Sequence, residues 1–143
     1  MRNETFGESL TSIMLEKGID NKRLATDLGV TQASISNWKA NRTGIELTRL
    51  ISLCNYFECS LEYLVGKTDT NTKPIKKTIE NFGKQLRKVM RSKGVSTYTL
   101  QNETRYTGAY FYDWDKGTQP KLSTLIELAN YLQCSLDELV GLE

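Results

Sequence analysis

The chain has 143 residues, a formal net charge of +2 and 38% hydrophobic residues, enough for one ordinary domain or two small ones. Charge is balanced along it, nine cations and nine carboxylates in residues 1–73 and ten and eight in 74–143, so no global field draws it toward nucleic acid. Histidine is absent, removing the commonest general base and metal ligand; no apolar run reaches a membrane span and no signal-peptide core opens the chain.

In chain order, Phe6, Leu10 and Ile13-Met14 carry a 3.6-residue period up to a turn at Lys17-Gly18, which predicts a first helix ended by glycine. Asp20 is placed to cap a short helix over about Asn21 to Leu28 that buries Leu24, Ala25 and Leu28. Gly29-Val30-Thr31 connects it to a third helix, Gln32 to about Lys39, with Ile35 and Trp38 facing inward. A loop over Asn41 to Ile45 leads to a helix burying Leu47, Leu50-Ile51, Cys54 and Phe57. Ser60 caps a last short helix through Leu61, Leu64 and Val65, ended by Gly66. Residues 67–75 are polar, threonine-rich and broken by Pro74, and read as a linker.

Beyond the linker the chain repeats itself. Phe6-Gly7, Leu10, Met14, Lys17-Gly18 and Leu24 return as Phe82-Gly83, Leu86, Met90, Lys93-Gly94 and Leu100, and Thr31, Ala33 and Trp38 as Thr107, Ala109 and Trp114. After one residue of slippage, Cys59-Ser60-Leu61 and Leu64-Val65-Gly66 return as Cys134-Ser135-Leu136 and Leu139-Val140-Gly141. One offset held over so many positions means two copies of one domain: 1–66 and 76–143. The second copy is expected to form helices over about Thr78–Ser92, Thr97–Glu103, Gly108–Asp115, Ser123–Leu132 and Ser135–Val140. Cys54, Cys59 and Cys134 lack metal-ligand or redox spacing and read as small apolar packing in a reducing cytosol. The fold class is all-α, the expected location cytoplasmic, and no metal or cofactor is implied. Nor is an enzyme: a phosphate-binding glycine loop and a pair of carboxylates placed for acid–base work are both missing.

Two short helices joined by a three-residue, glycine-containing turn form a helix-turn-helix by geometry, and the tight turn holds the second helix where its exposed face can enter a major groove. In the first copy that helix offers Gln32, Ala33, Ser34, Ser36 and Asn37. Gln and Asn can bond an adenine edge bidentately, and Ala and Ser allow close approach or meet a thymine methyl. Asn21, Lys22, Thr31, Lys39, Asn41 and Arg42 surround it as candidate phosphate partners.

These residues, with Lys17-Gly18-Ile19, Leu24-Ala25, Leu28-Gly29-Val30-Thr31-Gln32, Ile35-Ser36-x-Trp38 and Cys59 to Gly66, resemble the Cro/C1-type (XRE) helix-turn-helix family. The resemblance implies two tandem five-helix, lambda-repressor-like bundles, phosphate contacts near helix 2 and base reading from the start of helix 3. It departs in two places. Family members often pair an arginine in helix 1 with a glutamate after helix 3; Met14 and Lys39 stand there instead, and an apolar seam is expected. The usual glycine after helix 3 is Asn41, which tolerates positive φ.

The second copy keeps the core and loses the reading face. Gly108, Tyr110, Tyr112 and Asp113 replace Gln32, Ser34, Ser36 and Asn37, and Gln101, Thr104 and Arg105 replace Ala25, Leu28 and Gly29. Asp113 and Asp115 would face phosphates as unpaired, repelled carboxylates. Lys84, Arg87, Lys88, Arg91 and Lys93 crowd one helix, a run that usually makes a solvated face. Three readings stay open for Thr107, Tyr110, Tyr112 and Asp113: core and surface without function, a second DNA half-site, or a protein interface. Extended, the linker spans about 30 Å, close to the roughly 34 Å between successive major-groove faces on one side of DNA. An intramolecular pseudo-dimer and a true homodimer therefore both fit. The expected function is a sequence-specific regulator of double-stranded DNA, a bacterial or phage-type repressor. Its alternative is a helix-turn-helix-derived protein-interaction module, such as an anti-repressor or a phage-encoded inhibitor.

Overall fold

The computed structural model describes residues 4–42, 44–73 and 81–143, and its regular structure is helical. The chain divides into two compact units. The first carries α1 (Phe6–Lys17), α2 (Asn21–Leu28), α3 (Gln32–Lys39), most of α4 (Leu47–Phe57) and α5 (Leu61–Leu64). The second carries α6 (Phe82–Ser92), α7 (Thr97–Glu103), α8 (Gly108–Asp115), α9 (Leu122–Leu132) and α10 (Leu136–Val140).

Side-chain caps set most of the helix starts. Asp20, Thr31 and Ser60 accept the backbone N–H of Arg23, Ser34 and Tyr63 at 2.8, 3.0 and 3.1 Å. Thr5 and Glu8 form a reciprocal capping box on α1. α6 begins later than expected: Asn81 has extended dihedrals (φ −50°, ψ 131°) and caps through the Lys84 N–H, so the helix opens at Phe82. The anticipated start at Thr78 lies outside the described residues. Leu28, expected in the core, is only half-buried at the end of α2. Of the expected linker 67–75, residues up to Lys73 belong to the first unit. There the Ser60 N–H donates to Asn71 Oδ1 at 3.1 Å, and Asn71 Nδ2 donates to the Glu58 carbonyl at 3.3 Å.

Both cores are built from the repeated apolar positions. Leu10, Leu24, Ile35, Leu50 and Leu64 are sealed from solvent in the first unit, and Leu86, Leu100, Leu125 and Leu139 in the second. Cys54 and Cys59 are buried thiols and Cys134 is half-buried. A tyrosine–carboxylate bond ties the second helix of each unit to the fourth: Tyr56 donates to Asp27 at 2.5 Å and Tyr131 to Glu103.

The Phe-Gly pair opening each unit has a steric reason. A Cβ on Gly7 would lie 2.1 Å from the carbonyl oxygen of Lys39, and one on Gly83 would lie 2.1 Å from Asp115 Oδ1. Glycine thus lets the first helix press on the end of the third. An asparagine side chain seals each seam, from opposite sides. Asn41, at φ 56°, accepts the Gly7 N–H at 3.0 Å and donates to Thr5 Oγ1 at 3.2 Å. Asn81 instead donates to the carbonyls of Trp114 and Asp115, both at 3.1 Å. Gly7→Ala must push backbone against backbone and should destabilise the first unit by about 1–3 kcal/mol. Urea denaturation followed by Trp38 fluorescence in a Trp114→Phe background measures this; an unchanged midpoint would show that the seam has slack.

Candidate nucleic-acid interface

In the first unit α2 packs directly on α3. Gly29 takes the left-handed conformation (φ 71°) and the Val30 N–H donates to the Ala25 carbonyl at 3.0 Å, closing α2 so that Thr31 can start α3. Gln32, Ala33 and Ser36 are exposed, and Ser34 and Asn37 are half-buried. The Ser34 hydroxyl lies 3.0 Å from Thr31 Oγ1, which turns both toward the helix start. Asn21 Nδ2 donates to Ser36 Oγ at 3.3 Å, and Lys39 Nζ donates to Asn21 Oδ1 at 2.9 Å. This chain of bonds locks the start of α2 to the middle and end of α3.

The expected apolar seam at Met14 and Lys39 is corrected: Met14 is buried, but Lys39 reaches across to Asn21 and keeps two further N–H donors. Among the candidate phosphate partners, Lys22 and Arg42 have exposed side chains. Asn21 and Lys39 hold the helix pair together, Thr31 caps α3 through the Ser34 N–H, and the Asn41 amide is committed to the first turn of α1.

The second unit builds the same region differently. α7 and α8 do not pack backbone to backbone as α2 and α3 do. Gln101 faces the start of α8, with its amide 3.9 Å from where a Cβ on Gly108 would lie. Thr107 precedes α8 without a side-chain capping bond. Tyr106, at the position of Val30, fills the interior at 1% exposure. Its hydroxyl donates to Glu127 Oε2 at 2.9 Å, and Arg105 completes the cluster on Glu127 Oε1 at 2.9 Å. Arg105 thus replaces a turn glycine by an ion pair. Tyr110 leans on Tyr106 and Trp114, with ring centroids 5.0 and 5.8 Å away. Phe111 is buried, while Tyr112 and Asp113 are exposed.

Asp115 corrects another expectation. It is no unpaired carboxylate but a bidentate partner of Arg87, at 2.6 and 3.0 Å. The hydrogen bond from Arg87 holds the Asp115 carboxyl below its usual range. The folded form therefore gains stability above the unfolded carboxylate pKa, near 3.9, and loses it as pH falls through the lower folded value. Both side chains are over a third exposed, so solvent limits the gain to about 1 kcal/mol or less. Asp115→Asn should lower stability at pH 7 and flatten its decline below about pH 4, as read by Trp114 fluorescence in acid titrations. A decline as steep as wild type would remove this pair from the acid response.

The family model for the Cro/C1-type HTH DNA-binding domain matches the chain twice, over residues 9–66 and 85–143. The chain belongs to the Cro/C1-type helix-turn-helix family. It is a DNA-binding regulator made of two tandem Cro/C1-type domains. Neither the curated proteins nor the solved structures returned a match. No helix among the described residues is long and apolar enough to cross a membrane. Reading the residues one by one missed the capping box on α1 and the Tyr106–Glu127–Arg105 cluster. By the repeat offset Tyr98 takes the sequence position of Lys22.

Proposed function

We propose that this protein is a bacterial or phage-type repressor that occupies an operator in double-stranded DNA and excludes polymerase, with α3 in the major groove. The reader is the domain at 1–66, and the divergent copy occupies 76–143. Gln32 and Asn37 bond base edges, while Ala33, Ser34 and Ser36 permit close approach. Lys22, Lys39 and Arg42 take phosphates, assisted by Asn21 and Thr31; Asn41 acts through the α1–α3 seam. The observation that carries this reading is the exposed polar start of α3, held out from the unit by the Gly29 turn and the Asn21–Ser36–Lys39 bonds. With a net charge of only +2, non-specific affinity is modest and the site must be read by specific contacts. Pairing of two chains as a homodimer would present two copies of α3 and add avidity. Selection of a random double-stranded DNA pool by the full chain should return a defined motif. Recovery of unselected sequences, even at low salt, would remove the DNA-reading role.

A further inference from the structure

The molecule's large exposed apolar side chains are few among the described residues: Leu15, Tyr98, Tyr110 and Tyr112. The three tyrosines, 77%, 40% and 63% exposed, all lie on α7 and α8. By the repeat offset they stand where the first unit has Lys22, Ser34 and Ser36. A candidate phosphate contact and two positions of the reading helix have thus each become an aromatic ring. Charge reverses over the same stretch. Residues 21–40 carry three cations and one carboxylate, a net of +2, whereas 97–116 carry two cations and three carboxylates, a net of −1.

Of the two cations, Arg105 is balanced by its ion pair with Glu127, and Lys116 lies over Tyr112. Of the carboxylates, Asp115 is held by Arg87 and Glu103 by Tyr131, which leaves Asp113 exposed beside Tyr112. The rings also show which group suits them. Lys116 Nζ sits 5.3 Å from the Tyr112 centroid, and Arg105 and Arg87 cover Tyr106 and Phe111 at 5.1 and 5.3 Å. Each is a cation on an aromatic face. Tyr110 is fixed from behind by Tyr106, itself anchored on Glu127, so this part of the surface is ordered before anything binds and loses little entropy on docking.

We infer that the α7–α8 face of the second unit is a protein-docking surface for an arginine- or lysine-bearing segment, whose cations lie over Tyr98, Tyr110 and Tyr112 and pair with Asp113. The inference goes beyond the DNA-reading role of α3 and does not depend on it. The change from net positive to net negative charge disfavours a phosphate backbone here and favours a cationic partner.

The full chain, immobilised, can be tested against a displayed library of random dodecapeptides and, in parallel, against the random DNA pool. The same is done with Tyr98→Ser/Tyr112→Ser/Asp113→Lys and with Asp113→Lys alone, each checked for native Trp114 fluorescence. Enriched peptides should be rich in Arg and Lys, and the triple variant should bind them at least about tenfold more weakly. Its DNA motif should match that of wild type. The proposal is overturned if no peptides enrich, if those enriched are not basic, or if the triple variant retains them. Loss of part of the DNA motif in that variant would make the face a second DNA reader. Self-association abolished by the same substitutions would assign it to a second copy of this chain; either result also overturns the proposal. Failure of the DNA arm alone would sink the α3 reading and leave this one standing.

Discussion

Replacing Gln32 and Asn37 together with alanine is expected to weaken binding to the selected DNA site by about 2–6 kcal/mol, at about 1–3 kcal/mol for each bidentate base contact. Neither residue carries charge, so binding to random DNA and the salt dependence should stay as in wild type. The fold should also survive. Gln32 is exposed, and although Asn37 is half-buried, its structural bond is made by the backbone carbonyl, which accepts the Arg42 N–H at 2.9 Å. Alanine preserves that bond and is a better helix former than either residue. The contrasting variant, Lys22→Ala/Arg42→Ala, should weaken specific and random binding alike and lower the salt slope by about 2. Fluorescence anisotropy at several salt concentrations separates the two patterns. If the uncharged double variant discriminates sites as well as wild type does, base reading by α3 is wrong.

Tyr106→Ala should cost the second unit about 3–5 kcal/mol, the usual penalty for removing a large buried aromatic side chain. The ring is almost inaccessible and packs against Tyr110 and Trp114 at 5.0 and 5.8 Å. Its loss opens a cavity beneath the α7–α8 region and releases Tyr110 from its support. Tyr106→Phe keeps the packing and removes only the hydroxyl's bonds, the one it donates to Glu127 and the one it accepts from Arg105. Glu127 is about half exposed and retains Arg105, so about 1 kcal/mol is expected. Each unit has one tryptophan, Trp38 in the first and Trp114 in the second. Trp38→Phe therefore leaves a reporter for the second unit alone. Equal losses in the two Tyr106 variants would mean that the hydroxyl cluster, and not the ring, holds this region.

Local rules made most of the fold readable. Asp20, Thr31 and Ser60 announced helix starts because a side-chain oxygen at that position satisfies an otherwise unpaired N–H, a relation spanning only three residues. Gly29 was legible for a similar reason: the turn after α2 needs positive φ, and glycine takes it without strain. Asn81, expected inside the first helix of the second unit, instead caps it through the Lys84 N–H and is held by bonds to Trp114 and Asp115, more than thirty residues away, which apolar periodicity does not register.

The sequence by itself determined that there are two copies, that both are helical, and that α3 of the first and α8 of the second differ in surface chemistry. Repetition, periodicity and side-chain type belong to the chain whatever its contacts. Only the tertiary structure decided which polar residues are available. Lys39 and Asn21 spend hydrogen bonds on each other, Asn41 is committed to Gly7, and Asp115 is neutralised by Arg87, whereas Gln32, Lys22 and Arg42 stay exposed. Tertiary structure likewise buried Tyr106 and Phe111 and left Tyr98, Tyr110 and Tyr112 outside. The pairing of a side chain and the burial of a ring depend on what another helix brings within a few ångströms, and no local pattern along the chain encodes that distance.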